Sequence, residues 1–582
     1  MRLLQILWTL LWAFLTYALF LPVVSLNFGA GIYFTVLIYF LGMAAISLVN
    51  LEDRDENAGI EPTIYATIAT GIFIVWFFIG VYSWGWFHET EYRNLIGEIK
   101  PKEFNSHIAP VNPEQMITVN EAMAIRIGQT ALGEDPGLGS RCELGTMTMQ
   151  RVDSNLYWIA PLVHSGFWKW ENSEGTPGFV VVSATNEMDY RLVKEVNGKP
   201  INIKYQEEAF WGDDLERYMY MSGYASQGLT DMTFEVTEDW EPFWVVTLYD
   251  SKIGFSGDDA TGILVIDPAS GDIKSYGLTD MPSWIDRIQP EDFIANQIYY
   301  WGDYIHGYWN WGGTDKLHPS DEHSIVMGSD GKMYHYIGLQ SKGGNGGTVG
   351  FIMVDCRTKE AVWIQQTGAT ESAAKKSAED AISSTRYTGS EGITYNIGGH
   401  ATYEFLMMGE GSLRKAIALV NVHDHNIVGT GIDRLSAIHD YTVKMNSKGN
   451  ASIGKTSDLD VEKTEGIVTR FNQEVNGGNT IYYFTVTGQH AQFFGTSSIS
   501  TEFCLTKPGD KVLITFILTE NDVEIQSFDN LDIGFKKTEA ENRVLARVDS
   551  VKGKQLEKQQ EKTLDQKWEE KSPEEKRALL KK

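Results

Sequence analysis

Residues 262–273, GILVIDPASGDI, carry the pattern that decides the fold of most of this chain. A glycine opens a run of four aliphatic residues, three of them β-branched, which is typical of a buried strand. The Asp, Pro, Ser and Gly residues that follow predict a tight turn. An aromatic stretch, PFWVVTLY at 242–249, precedes the run and reads as a second strand. Together they predict an antiparallel pair of strands that ends in a polar turn.

The same arrangement occurs four times between residues 156 and 428, which predicts a repeated unit. Predicted helices precede two of the copies, TVNEAMAIRIGQTAL at 118–132 and ESAAKKSAEDAI at 371–382. We therefore expect each unit to be a helix followed by strands. The other copies are LYWIAPL with GFVVVS (156–162 and 178–183), MYHYIGL with GFIMVDCRTKEAV (333–339 and 350–362), and ATYEFLMM with AIALVNVHDHNIV (401–408 and 416–428).

The turn after the aliphatic run resembles the last hairpin of the PepSY domain family, which often reads hydrophobic-Asp-x-x-Thr/Ser-Gly-x-hydrophobic. The matching residues are Ile266, Asp267, Ser270, Gly271 and Ile273, and more loosely Val354, Asp355, Thr358 and Val362. The resemblance covers about residues 115–435, and the first and fourth copies lack the Asp-x-x-Ser/Thr turn. It implies a helix on a small antiparallel sheet. It also implies non-catalytic binding or inhibitory modules on the outer side of a bacterial membrane.

Three apolar runs, 3–24, 26–51 and 63–87, predict three transmembrane helices in an N-terminal anchor. Each has about 20 residues or more, enough for the hydrocarbon core of a bilayer. The first run is too long for a signal peptide and no cleavage pattern follows it. None of the runs contains a charged residue or a histidine, so we expect an anchor and not a transport pathway. The flanking basic residues do not decide its orientation. The family resemblance favours an extracytoplasmic soluble region.

Residues 464–535 differ from the repeats in sequence pattern and contain five short predicted strands. A small OB-like β-barrel and a generic β-sandwich are the two interpretations. The last segment is rich in Glu, Lys and Gln, which predicts a charged helical or disordered tail. The fold class is therefore α+β. The predicted domains are 1–90 (anchor), 91–206 and 207–319 (first and second PepSY-like units), 320–457 (third and fourth hairpins), 458–535 (OB-like barrel) and 536–582 (tail).

Composition and motifs exclude several classes of function. The formal net charge of −28 argues against nucleic acid as a partner, because phosphate binding needs clustered Lys and Arg. The three cysteines are far apart, and no phosphate loop, nucleophile elbow or zinc-protease helix occurs. We predict no catalytic, cofactor or metal site. His423 and His425 are the nearest approach to a metal site. The repeat assigns them to a solvated turn, because Val422 takes the place of Ile266 and Val354.

The densest aromatic stretch is YYWGDYIHGYWNWGG at 299–313. Tyr and Trp combine apolar faces with polar edges, which suits a surface that binds protein or sugar. A buried helix is the competing interpretation, since Trp301, Ile305, Tyr308 and Trp309 follow helical spacing. The candidate binding-surface residues are Trp168, Trp170, Tyr299, Trp301, Tyr304, Tyr308, Trp309 and Trp311.

These features predict an integral membrane protein with a protein partner and without bound nucleic acid. The first hypothesis is a non-enzymatic binding or scaffold protein whose PepSY-like repeats engage another protein at the bacterial cell envelope. The second is an accessory subunit of a larger membrane complex. The third is an envelope hydrolase that acts on glycan or peptide through an aromatic cleft.

Overall fold

The computed structural model describes most of the chain, which divides into two compact units, 1–437 and 438–582. The C-terminal tail predicted at 536–582 and the glycine-rich loop at 343–346 lie outside the described residues. These residues are 2–29, 31–49, 60–104, 108, 111, 115–328, 330–342, 347–383, 386–411, 413–447, 461–476, 479–489, 492–496, 499–518 and 523–533.

The N-terminal region forms apolar helices, but the expectation of three transmembrane helices is wrong in number. Of the helices that the structure describes, Arg2–Phe20 and Glu61–Tyr82 are long and apolar enough to cross a membrane. The middle apolar helix, Ile32–Leu48, is shorter and rises only about 26 Å. The reason is local: its apolar run begins in a turn, where the amide of Asn27 binds the Ser25 hydroxyl. The helices themselves are Arg2–Leu15 with a π turn Thr16–Phe20, Ile32–Val49, Ile60–Tyr82 and the short Gly85–Asn94.

The rest of the first unit is bonded to the ends of these helices that lie on one side. After the first helix, the Arg217 guanidinium donates to the Ala18 carbonyl (2.9 Å) and the amide of Val24 to the Ala225 carbonyl (2.7 Å). At the end of the third helix, the amide of Phe255 donates to the Ser83 hydroxyl (2.8 Å). The segment that leads into the second helix contacts the same part of the first unit. The ends of all three helices on this side are therefore held by one part of the unit.

Four antiparallel sheets, here called sheets 1 to 4, follow along the chain, each with its strands in sequential order. The predicted strand pairs form the second and third strands of all four sheets. Ile99–Glu103, just after the anchor, adds a parallel edge strand to sheet 3. The strands are Cys142–Leu144 with Thr148–Val152, Asn155–His164, Phe179–Ser183 and Tyr190–Val193 (sheet 1); Gly228–Val236, Pro242–Ile253, Ser256–Ile266 and Ile273–Gly277 (sheet 2); Leu317–Met327, Met333–Ser341, Gly347–Asp355 and Ala361–Ala369 (sheet 3); and Thr388–Gly389 with Ile393–Ile397, His400–Gly409, Leu413–Asn421 and Val428–Gly431 (sheet 4).

A helix precedes each sheet, as the repeat predicts, and the mixed α+β class is confirmed. Side-chain caps define three of the starts: Asn120 accepts from the amide of Met123, Asp214 from the amide of Arg217, and Thr370 from the amide of Ala373. The helices are Glu121–Gly133, Leu215–Met219, Glu291–Asp303 and Glu371–Ala381. Shorter helical segments are Pro136–Gly139, Phe167–Glu171, Trp211–Asp213 and Tyr220–Tyr224, and Glu195–Val196 pairs with Lys199–Pro200.

The four repeats share one register, counted from a small residue that lies within the third strand or, in sheet 1, directly before it. A Cβ on Gly178, Gly262 or Gly350 would collide with a carbonyl oxygen of the fourth strand. Five residues later, a polar side chain accepts a backbone amide of the following turn. The acceptors are Ser183, Asp267, Asp355 and, after Ala416, Asn421.

This register corrects one detail of the sequence alignment. The residue equivalent to Ile266 and Val354 is Val420, two residues before the predicted Val422. The first and fourth copies do have the capped turn, but with Ser183 and Asn421 in place of aspartate. Each of these side chains can accept the same amide hydrogen bond, so the chemistry is conserved while the sequence motif is not.

Both faces of the sheets are covered. On one face of sheet 1, Phe179 and Val181 pack against Phe234 and Val246 of sheet 2. On the opposite face, Val180 and Val182 pack against the helix Glu121–Gly133. Sheet 3 is covered in the same way. One face packs against sheet 4, and the other packs against the helix Glu291–Asp303.

Hydrogen bonds join the sheets in a ring. Sheets 1 and 2 are linked by Gln150, whose amide group bonds both the carbonyl and the amide of Val236 (3.0 Å each). Sheets 3 and 4 are linked by the hydroxyls of Tyr336 and Thr394 (2.6 Å).

The other two junctions involve the connecting segments. After sheet 2, the amide of Ile288 binds the Cys356 carbonyl of sheet 3 (3.0 Å). The amide of Ile117, before sheet 1, binds the Tyr395 hydroxyl of sheet 4 (3.2 Å). Four up-and-down sheets arranged radially are the organisation that β-propellers also use.

The second unit contains five strands that pair in a closed order. A single parallel pair, Phe494 with Glu524, joins the third strand to the fifth. Aromatic side chains such as Phe484, Phe503 and Phe528 fill the interior. The strands are Val461–Asn476, Asn479–Val486, Phe493–Thr496, Lys511–Leu518 and Val523–Asn530, with the turn Thr501–Leu505 and, at the start of the unit, the end of the helix Arg434–Ser447.

The glycine register yields a stability prediction. Gly350 has φ +138° and no space for a Cβ, so Gly350→Ala should lower the free energy of unfolding by about 2 kcal/mol or more. Gly133→Ala is the matched control, because a Cβ there meets nothing within 4 Å. Thermal unfolding of both variants tests this. Equal midpoints for the two would contradict the assigned role of Gly350.

Candidate functional site

The four sheets meet around a cavity of about 640 Å³, here called the central cavity. The first strand of every sheet contributes residues to its wall, and the wall has both apolar and charged side chains. Met147, Met149, Trp158, Ile325 and Leu406 are among the apolar ones. Its rim includes the exposed Glu121 and Glu391, so the cavity reaches solvent.

Each first strand is interrupted where it lines this cavity. Sheet 1 breaks between Leu144 and Thr148, and sheet 4 breaks between Gly389 and Ile393. In sheet 2 the pairing shifts at Asp231, which has φ +50°, and in sheet 3 it shifts just before His323. Bulges of this kind turn side chains away from the regular alternation and are frequent beside functional sites. The same irregularity in all four sheets marks the cavity as the candidate site.

Two pairs of oppositely charged side chains line the cavity. The Glu291 carboxylate lies 3.4 Å from Nδ1 of His323, whose Nε2 bonds the Ser320 carbonyl (3.0 Å). The hydrogen bond from His323 lowers the pKa of Glu291, and the same contact raises the pKa of His323. The Asp231 carboxylate pairs with the Arg287 guanidinium at 3.5 Å. The first pair joins sheet 3 to the helix that precedes it, and the second joins sheet 2 to the segment that follows it.

Two carboxyl groups near the cavity are buried without a matching cation in contact. Among the residues that the structure describes, neither carboxylate oxygen of Glu404 has a hydrogen-bond partner, although the residue is 2 % exposed and lines the wall. Burial raises the pKa of Glu404 to about 8. Burial likewise raises the pKa of Glu235 to about 8, although one of its oxygens accepts from the Thr233 hydroxyl (2.9 Å).

The aromatic stretch 299–313 lies beside the end of the helix Ile60–Tyr82 and the short helix that follows it. Its helix ends at Asp303, so the buried-helix interpretation is wrong for Tyr308 and Trp309. Gly307 and Gly313, with φ +79° and +68°, turn the chain instead. Trp309 contacts Trp86 edge-on (5.5 Å between ring centres), and Trp311 is 81 % exposed.

The remaining members of the stretch are more buried. Tyr304 stacks against Tyr300, and Trp301 packs edge-on against Trp363 in the sheet 3 core. Tyr299 contacts His318. A groove of about 730 Å³, lined by Trp301, Tyr304 and the charged residues of the segment after the anchor, opens beside them.

Trp168 and Trp170 form a separate aromatic group, beside the end of the first anchor helix. Trp170 packs against Phe210 and donates to the Asp213 carboxylate (3.2 Å), whereas Trp168 is 74 % exposed. Arg217 joins this group to the anchor, because it bonds the carbonyls of both Trp211 and Ala18. The sequence candidates thus form two groups, both of them next to helix ends.

His423 and His425 lie in the turn between the third and fourth strands of sheet 4, as predicted. His423 contacts Gln366 (2.8 Å), and His425 contacts the Ser377 hydroxyl (2.9 Å). In the part of the chain that the structure describes, no group of three His, Cys, Asp or Glu side chains has the arrangement of a metal site.

Sequence reasoning did not single out the central cavity or Glu404. Glu404 interrupts the apolar stretch ATYEFLMM, and a lone acid among strand residues is the one signal that could have indicated it. Arg287 and Glu291 lie in one segment, but their partners Asp231 and His323 lie far from it in the chain, and only the fold brings them to one wall.

The comparisons with known proteins are sparse. No family model and no curated protein matches the chain. Among solved structures, the Trypanosoma rangeli sialidase is 9% identical with a TM-score of 0.18 over 66% of this chain, which spans about half (54%) of the sialidase. The polysaccharide lyase Uly1 is 8% identical, with a TM-score of 0.16, over 66% of this chain and 76% of that one. Likeness at these TM-scores carries no argument about fold or activity.

The buried carboxyl groups predict how stability depends on pH. For Glu404 and Glu235, the pKa of the folded state (about 8) lies above the ordinary 4.5 of the unfolded chain, so folding takes up a proton. The contribution of these two groups to stability is therefore full below pH 4.5 and falls as the pH rises toward 8, by at most about 1.4 kcal/mol per pH unit for each group. Glu404→Gln should flatten this fall.

Unfolding measured at several pH values between 5 and 8 checks this. Glu121→Gln, at the exposed rim of the same cavity, is the control and should keep the slope of the unaltered chain. An unchanged slope in Glu404→Gln would mean that Glu404 is ionised in the folded protein at neutral pH.

Proposed function

We propose that this chain is a membrane-anchored, non-enzymatic binding or scaffold protein whose PepSY-like repeats engage another protein at the bacterial cell envelope. The observation that carries the proposal is the ring of four repeated helix-and-sheet units bonded to the anchor. A ring held in this way presents a fixed surface at the membrane, which suits a binding module more than a substrate cleft with a mobile lid.

The repeat geometry supports the PepSY-like assignment. Each sheet has a preceding helix, and Asp267 and Asp355 cap their turns through backbone amides, as expected for the motif. Ser183 and Asn421 extend the capped turn to the two copies that lack the motif. The pairing of the five strands in the second unit likewise supports its OB-like interpretation.

The position of the exposed aromatics favours a partner that is itself in or at the same membrane. Trp309 and Trp311 lie beside the end of the third anchor helix, and Trp168 lies beside the end of the first. Large exposed tryptophans are typical of protein contacts and of the bilayer interface. An accessory subunit of a larger membrane complex, the second hypothesis, is therefore the form of the proposal that this observation favours.

Site-specific photo-crosslinking in native membranes tests the proposal. A benzophenone amino acid at position 311 should yield a crosslinked product of discrete mass that contains a second protein. Position 188 is the matched control, because Met188 is as exposed (80 %) as Trp311 (81 %) but lies in a turn of sheet 1. Crosslinks to lipid alone at position 311 would mean that the aromatic group anchors the protein to the bilayer and binds no partner.

The side of the membrane can be tested with the native cysteines. Cys504 is exposed, whereas Cys142 and Cys356 are buried. If the soluble region is extracytoplasmic, a membrane-impermeant maleimide should label intact cells through Cys504, and Cys504→Ser should remove the label. Labelling that requires permeabilised cells would contradict the proposed orientation.

A further inference from the structure

In the wall of the central cavity, two carboxyl groups are paired with basic side chains and a third is not. Glu291 is matched by His323, and Asp231 is matched by Arg287. Glu404 has no such match in the structure, although both of its oxygens are buried. A buried carboxyl group without a hydrogen-bond donor is costly, and proteins keep one mainly where function requires it.

The surroundings of Glu404 explain why no protein group satisfies it. The residue lies in the second strand of sheet 4, between Ile393 and Leu419 of the adjacent strands. Arg414 donates to the Ile432 carbonyl and faces Glu187, while Arg434 donates to the Met116 carbonyl. Both arginines lower the pKa of Glu404 from a distance, and its net pKa is still raised because burial outweighs them.

The rest of the wall suits an organic group. Met147, Met149, Ile325 and Leu406 supply apolar surface, and Trp158 supplies an aromatic ring. Carboxylate, aromatic ring and thioether side chains are the chemistry that receives alkylated ammonium groups. A volume of about 640 Å³ lies within the usual range of small-molecule sites.

We propose that the central cavity binds a small organic cation, whose ammonium group is received by the carboxylate of Glu404. The interrupted first strands open the wall at this depth, and the exposed rim at Glu121 and Glu391 admits the ligand. This inference does not depend on the protein partner proposed above, since the cavity lies inside the ring of sheets.

Choline is the probe, with its neutral isostere, in which carbon replaces the quaternary nitrogen, as the matched control ligand. Titration calorimetry on the full chain in a maltoside detergent should give binding of choline and at least tenfold weaker binding of the isostere. Equal affinity for the two, or no binding of choline at tens of millimolar, would overturn the proposal.

Two variants separate a specific role of Glu404 from damage to the fold. Glu404→Gln keeps the shape of the side chain and should abolish choline binding while thermal unfolding remains cooperative. Glu121→Gln, at the rim, should bind choline like the unaltered chain. Choline binding that persists in Glu404→Gln would overturn the assignment of the receiving group.

The pH dependence supplies a third readout. A proton must leave Glu404 before the cation can pair with it, so choline affinity should be roughly tenfold or more weaker at pH 6 than at pH 8. Other groups that face the cavity or Glu404 are Asp231, Arg287, Glu291, His323, Lys375, Glu391, Tyr395, Arg414 and Arg434. His323→Gln should therefore keep the pH dependence if Glu404 is its source, and loss of the dependence in that variant would contradict the proposal.

Discussion

The third strand of every sheet is buried on both faces, and the rest of the first unit depends on this constraint. The strands Phe179–Ser183, Ser256–Ile266, Gly347–Asp355 and Leu413–Asn421 each contain an unbroken buried run. Such a strand needs apolar cover above and below its sheet. A helix supplies one side of the cover, and a neighbouring sheet supplies the other. With four repeats, this rule brings the sheets into a ring.

The ring has consequences for its inner edge. The first strands meet there, and interruptions of pairing are frequent in edge strands. Each is interrupted, at 145–147, Asp231, 320–322 and 390–392, and the interruptions line the central cavity. Asp231 and His323 enter the interior at these points and pair with Arg287 and Glu291. Glu404 arrives from a second strand, which leaves its carboxyl group outside these pairs.

Local patterns in the sequence predicted much of this architecture. The aliphatic runs predicted the strand pairs because burial of both faces requires continuous apolar residues. The predictions failed where a local pattern competed with backbone geometry. Gly307 and Gly313 end the helical spacing that Tyr308 and Trp309 continue, and the turn at Asn27 shortens the second apolar helix. The sequence alignment wrongly placed Val422 in the position of Ile266 because it compared residue identities alone. Asn421 supplies the same hydrogen bond as Asp267 and Asp355, although it is a different residue.

The sequence by itself determined the apolar helices, the four strand pairs, the turn that holds His423 and His425, and the α+β class. These depend on residues that are close in the chain, so periodicity and turn chemistry report them. The tertiary structure alone decided the closure of the ring, the hydrogen bond of Arg217 to the end of the first apolar helix and the isolation of Glu404. Those features join segments that are far apart, and the pairing of a buried charge depends on which distant side chains reach it. No local pattern records that.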